Sequence, residues 1–148
     1  MEQLSLPAFP YKIRETEGKT FILDLVRRKY VRLTPEEWVR QHVLHYLHRH
    51  LGYPYTLMGV ERGTRYNTLQ KRTDICLFTS EGTPFILVEC KAPEVPITAA
   101  TVQQAVIYNK TVKAPYLMVS NGKQHFCWQV NSNSSALTPL EQLPAFGS

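Results

Sequence analysis

The hydrophobic pattern of the chain contains two segments of helical period among shorter β-like runs. The clearer helix is TPEEWVRQHVLHYLHRHLG, in which Thr34 is a favourable N-cap, Pro35 suits the first turn and Gly52 ends the helix. At about 100° per residue its apolar side chains form one stripe, which consists of Val39, Val43, Leu44, Leu47 and Leu51. TAATVQQAVIYNKTV predicts a second helix.

The β-like runs lie around and between these helices and are bounded by turn residues. Before the first helix, KTFILDLVRRKYVRLT predicts a hairpin with a basic turn at Arg27 and Arg28. Between the helices, YTLMGVERG and TDICLFTSEGTPFILVECKAP predict three strands, the last two joined by the turn SEGT. After the second helix, APYLMVS and HFCWQV predict a strand pair around NGKQ. The order after the N-terminal hairpin is α-β-β-β-α-β-β, which predicts an α/β domain with a mixed central β-sheet flanked by helices.

This pattern divides the chain into three parts. Residues 1–32 are expected to form an N-terminal arm and the β-hairpin, and residues 33–130 the main domain. Residues 131–148 are rich in Ser, Pro and small side chains and are expected to form a loosely ordered tail.

Composition narrows the classes of protein. No apolar run approaches the roughly 20 residues of a membrane span, and no signal peptide is evident. The three cysteines lack Cys-x-x-Cys spacing, which argues against a disulfide framework or a zinc site and favours a cytoplasmic location. Four histidines of the first helix scatter around its cylinder, which also disfavours a zinc site. A net charge of +5 is compatible with a polyanionic partner but does not by itself indicate one.

Two charged residues interrupt the apolar run ILVECKAP. Glu89 and Lys91 are two positions apart, so on a strand they share one face, and Cys90 points to the other face. The simplest explanation is a strand end with an exposed ion pair, worth about 0–1 kcal/mol. The motif gains meaning only if other polar groups lie beside it.

The preceding strand supplies such a group. If SEGT is a four-residue hairpin loop, Thr79 pairs with Pro84 and Asp74 falls directly opposite Glu89. Two facing carboxylates repel each other unless positive charge lies between them. Lys91 can contribute one charge, and a divalent cation satisfies the arrangement better, since carboxylate oxygens suit magnesium or manganese. A loop of different length would break this pairing.

The helices add further polar candidates. Glu36 lies near the middle of the apolar stripe and is expected to point towards the core, whereas Glu37 lies three residues after Thr34, where a capping box places a glutamate. Stabilisation of the helix dipole is a competing explanation for both carboxylates. On the second helix, Gln104 and Tyr108 are four residues apart and share a face.

Asp74, Glu89-Cys90-Lys91 and Gln104-x-x-x-Tyr108, preceded by a helical glutamate, together resemble the PD-(D/E)XK nuclease superfamily. More narrowly, LTPEEWVRQ, RTDICLF, ILVECKAP and QQAVIYN resemble the N-terminal nuclease domain of the type I restriction enzyme motor subunit (the R protein) and its small stand-alone relatives. The proline that usually precedes the aspartate is replaced by Thr73. The resemblance implies a restriction-endonuclease-like fold.

The resemblance also implies a function, the metal-dependent hydrolysis of DNA phosphodiester bonds, with Mg²⁺ as the cofactor and Mn²⁺ as a substitute. Asp74, Glu89 and the carbonyl of Cys90 would ligate the metal, and Glu36 would complete its shell. Lys91 would orient or help to deprotonate the attacking water and stabilise charge on the phosphorane. Gln104 and Tyr108 would position the scissile phosphate or the DNA backbone.

Basic residues near these motifs are candidates for contacts with DNA phosphates; they are Arg65, Lys71, Arg72 and Lys110. Without nuclease activity they would form a solvated rim. No base-reading motif is apparent, so DNA binding would be largely sequence-blind. The resemblance is compatible with a homodimer and with a complex that contains other restriction or repair subunits. The alternative function is a non-catalytic, nuclease-like module for nucleic-acid binding or assembly.

Overall fold

A computed structural model describes residues 1–63 and 72–148, with side chains described throughout except at residues 61–63, 72 and 73. The strands and helices follow the order β1 (Ile13–Thr16), β2 (Lys19–Asp24), β3 (Lys29–Arg32), α1 (Pro35–Arg49), β4 (Met58–Gly63), β5 (Arg72–Phe78), β6 (Pro84–Cys90), α2 (Ala99–Val112), β7 (Tyr116–Ser120), β8 (His125–Val130) and β9 (Leu137–Leu140). A short 3-10 helix, Tyr55–Leu57, precedes β4. Within the described residues, no helix is long and apolar enough to cross a membrane.

The six-stranded sheet forms the centre of the domain. Its strand order is β4-β5-β6-β7-β8-β9, and every pairing is antiparallel except that of β6 with β7. The parallel pair is connected through α2, as a crossover between parallel strands requires. One apolar core unites α1 with one face of the sheet, and a smaller core unites α2 with the other face. The predicted α/β architecture, a mixed central sheet flanked by helices, is confirmed.

The three-stranded sheet contains the predicted hairpin and one further strand. β2 and β3 pair from Phe21 and Arg32 to Asp24 and Lys29, with the two arginines in the connecting turn. β1 adds to the other edge of β2, in a segment where the sequence predicted only an irregular arm. Its four residues, IRET, place a single apolar side chain on the protein side, too short a pattern to indicate a strand.

The C-terminal segment also differs from the sequence expectation of a loosely ordered tail. β9 pairs with β8 and adds an edge strand to the large sheet. Beyond it, Leu143 is buried in the main core, and the hydroxyl of Tyr53 donates a hydrogen bond to the carbonyl of Pro144 at 2.7 Å. The strand LTPL is short and contains a proline, which suits an edge position and gives little sequence signal.

The pairing register of β5 and β6 determines where the predicted acidic motif lies in the sheet. Ile75 pairs with Val88, and the next two pairs follow the predicted register. The predicted pair of Thr79 with Pro84 is wrong, because a bulge shifts the register and pairs Pro84 with Phe78. The bulge lies at the hairpin end of the strands, so the pairing at the opposite end is unaffected.

Candidate functional site

The acidic motif lies where β6 ends beside β5. Ile75 pairs with Val88, and the side chain of the neighbouring Asp74 accepts a hydrogen bond from the backbone N–H of Cys90, the residue after Glu89. Asp74 is buried, with 9% of its surface exposed. The ammonium of Lys91 lies 3.5 Å from Oε1 of Glu89. The two carboxylates and the lysine are therefore brought together at one end of the sheet.

Each oxygen of Asp74 accepts a hydrogen bond within the protein. Nη2 of Arg40 donates to Oδ1 at 2.8 Å, and the backbone N–H of Cys90 donates to Oδ2 at 2.7 Å. These bonds fix the carboxylate relative to α1 on one side and to β6 on the other. A carboxylate has about four lone-pair directions, so these two bonds leave acceptor capacity for a metal ion.

Arg40 is the cation at the centre of the site. Its side chain is almost entirely buried, and its guanidinium contacts Glu36 at 3.1 Å, Glu37, and Asp74. Burial disfavours the charged form of Arg40, but the nearby Glu37 and Asp74 outweigh this effect and raise its pKa. Arg40 is therefore a permanent positive charge beside the proposed metal ligand.

The burial of the two glutamates in the first turn of α1 is the reverse of what the sequence suggested. The side chain of Glu36 is 46% exposed, so the expectation that it points into the core is wrong. Glu37 is buried, because the turn between β2 and β3 covers its flank of α1 and Arg27 pairs with it at 2.8 Å. Thr34 is the predicted N-cap and accepts a hydrogen bond from the backbone N–H of Glu37 at 3.0 Å.

The side chain of Cys90 belongs to the main core, which packs against α1. Burial, together with the negative charge of Asp74, raises the pKa of its thiol well above the ordinary value. The thiol therefore stays neutral, and the backbone carbonyl of Cys90 is the group that could serve as a ligand.

The residues predicted on α2 lie at different distances from the motif. α2 begins on the side of the sheet where β6 ends, so Gln104, which is exposed, lies nearer to that end than Lys110. Tyr108 is half-buried against the smaller core. Lys110 lines a cavity with Pro115 and Val130, near the opposite end of β7, about 13 Å along the strand from Ser120. The structure does not bring Lys110 together with the acidic motif.

The other three predicted DNA-contacting residues lie wholly or partly outside the described part of the structure. Arg65 and Lys71 lie outside the described residues. The backbone of Arg72 belongs to β5, two residues before Asp74, but its side chain is outside the described part of the structure.

The donor set fits magnesium in chemical type. Asp74, Glu89 and the Cys90 carbonyl offer hard oxygen atoms, and Mg²⁺ is commonly held by one or two carboxylates plus waters and substrate phosphate. Among the described side chains, no group of three or more His, Cys, Asp or Glu could hold a metal ion. Glu36 pairs with Arg40, the same guanidinium that contacts Asp74.

Sequence reasoning did not identify Arg40 as part of the site. A signal was present, because at about 100° per residue Arg40 projects between Leu47 and Leu51 in the apolar stripe. A cation in that stripe must find a buried anionic partner. The sequence alone does not show that this partner is Asp74, from a strand of the central sheet.

A mixed sheet with a helix on each face, and with Asp74 and Glu89-x-Lys91 at the ends of paired strands, defines a restriction-endonuclease-like α/β domain. The family model described as the type I restriction enzyme R protein N terminus (HSDR_N) matches residues 35–144, and the chain belongs to this family. No curated protein matches the sequence. The family match begins after β3, so the three-stranded sheet lies outside it.

Proposed function

We propose that this protein is a magnesium-dependent DNA phosphodiester hydrolase of the restriction-enzyme type, with Mn²⁺ able to replace Mg²⁺. The observation that carries the proposal is that buried Asp74 accepts a hydrogen bond from the backbone N–H of Cys90, between Glu89 and Lys91, whose side chains lie 3.5 Å apart. The family match supports a nuclease-related role, with DNA and other restriction subunits as the partners to test.

Asp74, Glu89 and the Cys90 carbonyl would hold the metal ion. When bound, Mg²⁺ would supply positive charge to the scissile phosphate and lower the pKa of a water molecule. The bonds from Arg40 and from the Cys90 N–H keep the Asp74 carboxylate oriented. Its deep burial excludes much of the competing water, which strengthens electrostatic interactions at the site.

Lys91 contributes positive charge of its own. Its backbone N–H donates to the carbonyl of Ser120 at 2.8 Å, which anchors the start of its side chain to β7. The ammonium would orient the attacking water and stabilise the negative charge that develops on the phosphoryl oxygens. Gln104, exposed on α2, would contact the DNA backbone next to the scissile phosphate, with Tyr108 behind it.

The proposal is tested by separating metal binding from DNA cleavage. Glu89→Gln should weaken Mn²⁺ binding in calorimetric titrations and abolish plasmid nicking, because a ligand is lost. Lys91→Met should abolish nicking while Mn²⁺ binding persists, because the lysine acts on water and phosphate rather than on the ion. The matched control is Lys123→Met, which breaks the exposed 2.7 Å ion pair with Glu2 and should leave both properties unchanged. If both site variants bind Mn²⁺ like the parent protein, the carboxylates do not form the metal site.

One observation favours the alternative, a non-catalytic DNA-binding or assembly module. Both carboxylates already have a cation from the protein, Arg40 on Asp74 and Lys91 on Glu89. Such a module would bind DNA without Mn²⁺ and would not nick it under any metal condition. Retention of DNA binding in Glu89→Gln, combined with no nicking by the parent protein, would select this function.

A further inference from the structure

A chain of salt bridges begins in the three-stranded sheet, outside the family match. Asp24 at the end of β2 is fully buried, and its Oδ1 accepts hydrogen bonds from the backbone N–H groups of Val26 and Arg27 at 2.8 and 2.7 Å. Its Oδ2 accepts a bond from Nε of Arg27 at 2.8 Å. These bonds fix the β2–β3 turn and aim the arginine side chain.

Arg27 links the three-stranded sheet to α1. Its Nη2 donates to Oε2 of Glu37 at 2.8 Å. Burial disfavours the charged form of Arg27, but Glu37 and Asp24 together raise its pKa. Nε2 of Gln41 donates to both Asp24 and Glu37 at 2.9 Å, so the turn and the helix are also joined by a second route.

Arg40 links α1 to the candidate site. It donates from Nη1 to Oε1 of Glu37 and from Nη2 to Oδ1 of Asp74. The resulting salt-bridge chain, Asp24–Arg27–Glu37–Arg40–Asp74, alternates in charge along its whole length. It connects a strand outside the family match with the carboxylate proposed as the metal ligand.

We infer that the three-stranded sheet is part of the functional site, and that Arg27 and Arg40 are positioning residues that hold Asp74 in the geometry for metal binding. This inference rests on the proposed function. Partners that orient a metal ligand affect affinity for the ion without touching it, and their loss commonly costs about 10- to 100-fold in affinity or activity. A guanidinium suits the role because its fork geometry fixes direction as well as charge.

If the two arginines had the opposite role, their removal would change the affinity for Mn²⁺ in the opposite direction, so the direction of the change tests the inference. If Arg40 only competed with the metal for Asp74, or if Arg27 acted only through its positive field, removing either cation would tighten Mn²⁺ binding. If the arginines hold Asp74 in place, removing either should weaken Mn²⁺ binding despite the lost positive charge.

The experiment is calorimetric titration of the full chain with Mn²⁺, well below the melting temperature of each variant. Arg27→Met should weaken binding by about 3- to 10-fold, less than the direct loss of Arg40 because it acts through two intervening residues. Arg27→Lys retains the charge without the fork and should fall between the parent and Arg27→Met. The matched control is Arg14→Met, in the same sheet, where the guanidinium lies 4.1 Å from the ring centroid of Tyr30. The control should bind Mn²⁺ like the parent.

Arg27→Gln provides a second route if Arg27→Met does not fold. It keeps a polar side chain at the buried turn but removes the positive charge and the fork, and should also weaken Mn²⁺ binding. Parent-like or tighter binding in folded Arg27→Met or Arg27→Gln would overturn the inference. Failure of the parent to bind Mn²⁺, or binding that Glu89→Gln leaves unchanged, would overturn the proposed function instead.

Discussion

The buried ring of His45, on α1, contacts the aromatic rings of Phe9 and Tyr55. It stacks on Phe9 with ring centroids 4.1 Å apart, and the Tyr55 hydroxyl lies 3.3 Å from its Nδ1. Burial, together with the positive charge of Arg49, lowers the pKa of His45 to about 4. In the unfolded chain the same ring would titrate near its ordinary pKa of about 6.5.

We expect this difference to destabilise the protein in mild acid. Above pH 6.5 the ring is neutral in both states, and the full stability is present. As the pH falls from about 6.5 to about 4, the unfolded chain binds a proton that the folded protein excludes, so the free energy of unfolding falls by about 2–3 kcal/mol. Urea denaturation at a series of pH values measures this slope.

His45→Phe preserves an aromatic ring beside Phe9 and removes the titrating group, so it should flatten the slope between pH 6.5 and 4. Part of the slope should remain, because burial also lowers the pKa values of His42 and His125. The exposed His50 gives the control, His50→Phe, which should keep the slope of the parent. An unchanged slope in His45→Phe would show that this ring does not exclude the proton.

At the scale of elements, the C-terminus of α2 ends in a conformation that its residue does not favour. Lys113 follows the helix with φ 63° and ψ 38°, in the left-handed region, and its N–H donates to the carbonyl of Asn109 at 2.6 Å. Glycine is the usual residue at this position because it has no Cβ to clash with the backbone.

Lys113→Gly should therefore raise the free energy of unfolding by about 0.5–1 kcal/mol, measured by thermal or urea denaturation. Lys110→Gly is the matched control in the last turn of the same helix and should lower it by about 1 kcal/mol. A decrease in both variants would mean that the left-handed position carries no strain.

The same scale shows which parts of the structure the sequence could predict. Both long helices and strands β4 to β8 of the central sheet were evident, because each has a clear period, a cap or a turn at its ends. β1 and β9 were missed because four mostly polar or proline-containing residues produce no readable period. The bulge in β6 changed the predicted pair at the hairpin but left the register near Asp74 unchanged.

The candidate site was partly predictable for a related reason. Strand alternation and register are local, so they could predict that Asp74 lies beside the segment Glu89-Cys90-Lys91, where its carboxylate accepts the Cys90 N–H. The burial of Glu37 and the exposure of Glu36 were not predictable, because they depend on how the three-stranded sheet packs against α1. Helical periodicity describes one helix and contains no information about which neighbour covers each flank.

At the scale of the whole molecule, the N-terminal segment is packed against the turn that follows β7. The backbone N–H of Ser5 donates to the carbonyl of Gly122 at 2.9 Å, and the neighbouring Leu4 belongs to the main core. The same turn follows Ser120, whose carbonyl holds the backbone of Lys91. The N-terminal segment therefore packs against the turn that connects β7 to β8.

Gly122 allows this packing to be tested. Its φ is +86°, and an added Cβ would lie 2.9 Å from Cδ1 of Leu4 and 3.1 Å from Cγ2 of Val39. Gly122→Ala should lower the free energy of unfolding through both backbone strain and this crowding, by about 2–3 kcal/mol. Gly82→Ala separates the two causes, because Gly82 has a φ of +87° but nothing within 4 Å of the added atom. It should cost only the strain, about 1 kcal/mol.

The crowding itself is isolated by a double-mutant cycle with Leu4→Ala. Shortening Leu4 removes the nearest contact, so Gly122→Ala should cost less in the Leu4→Ala background than in the parent. The remaining cost should approach that of Gly82→Ala, with an excess from Val39, which is fully buried and has little room to move. Equal costs for Gly122→Ala in the two backgrounds would show that the N-terminal segment does not press against this turn in solution.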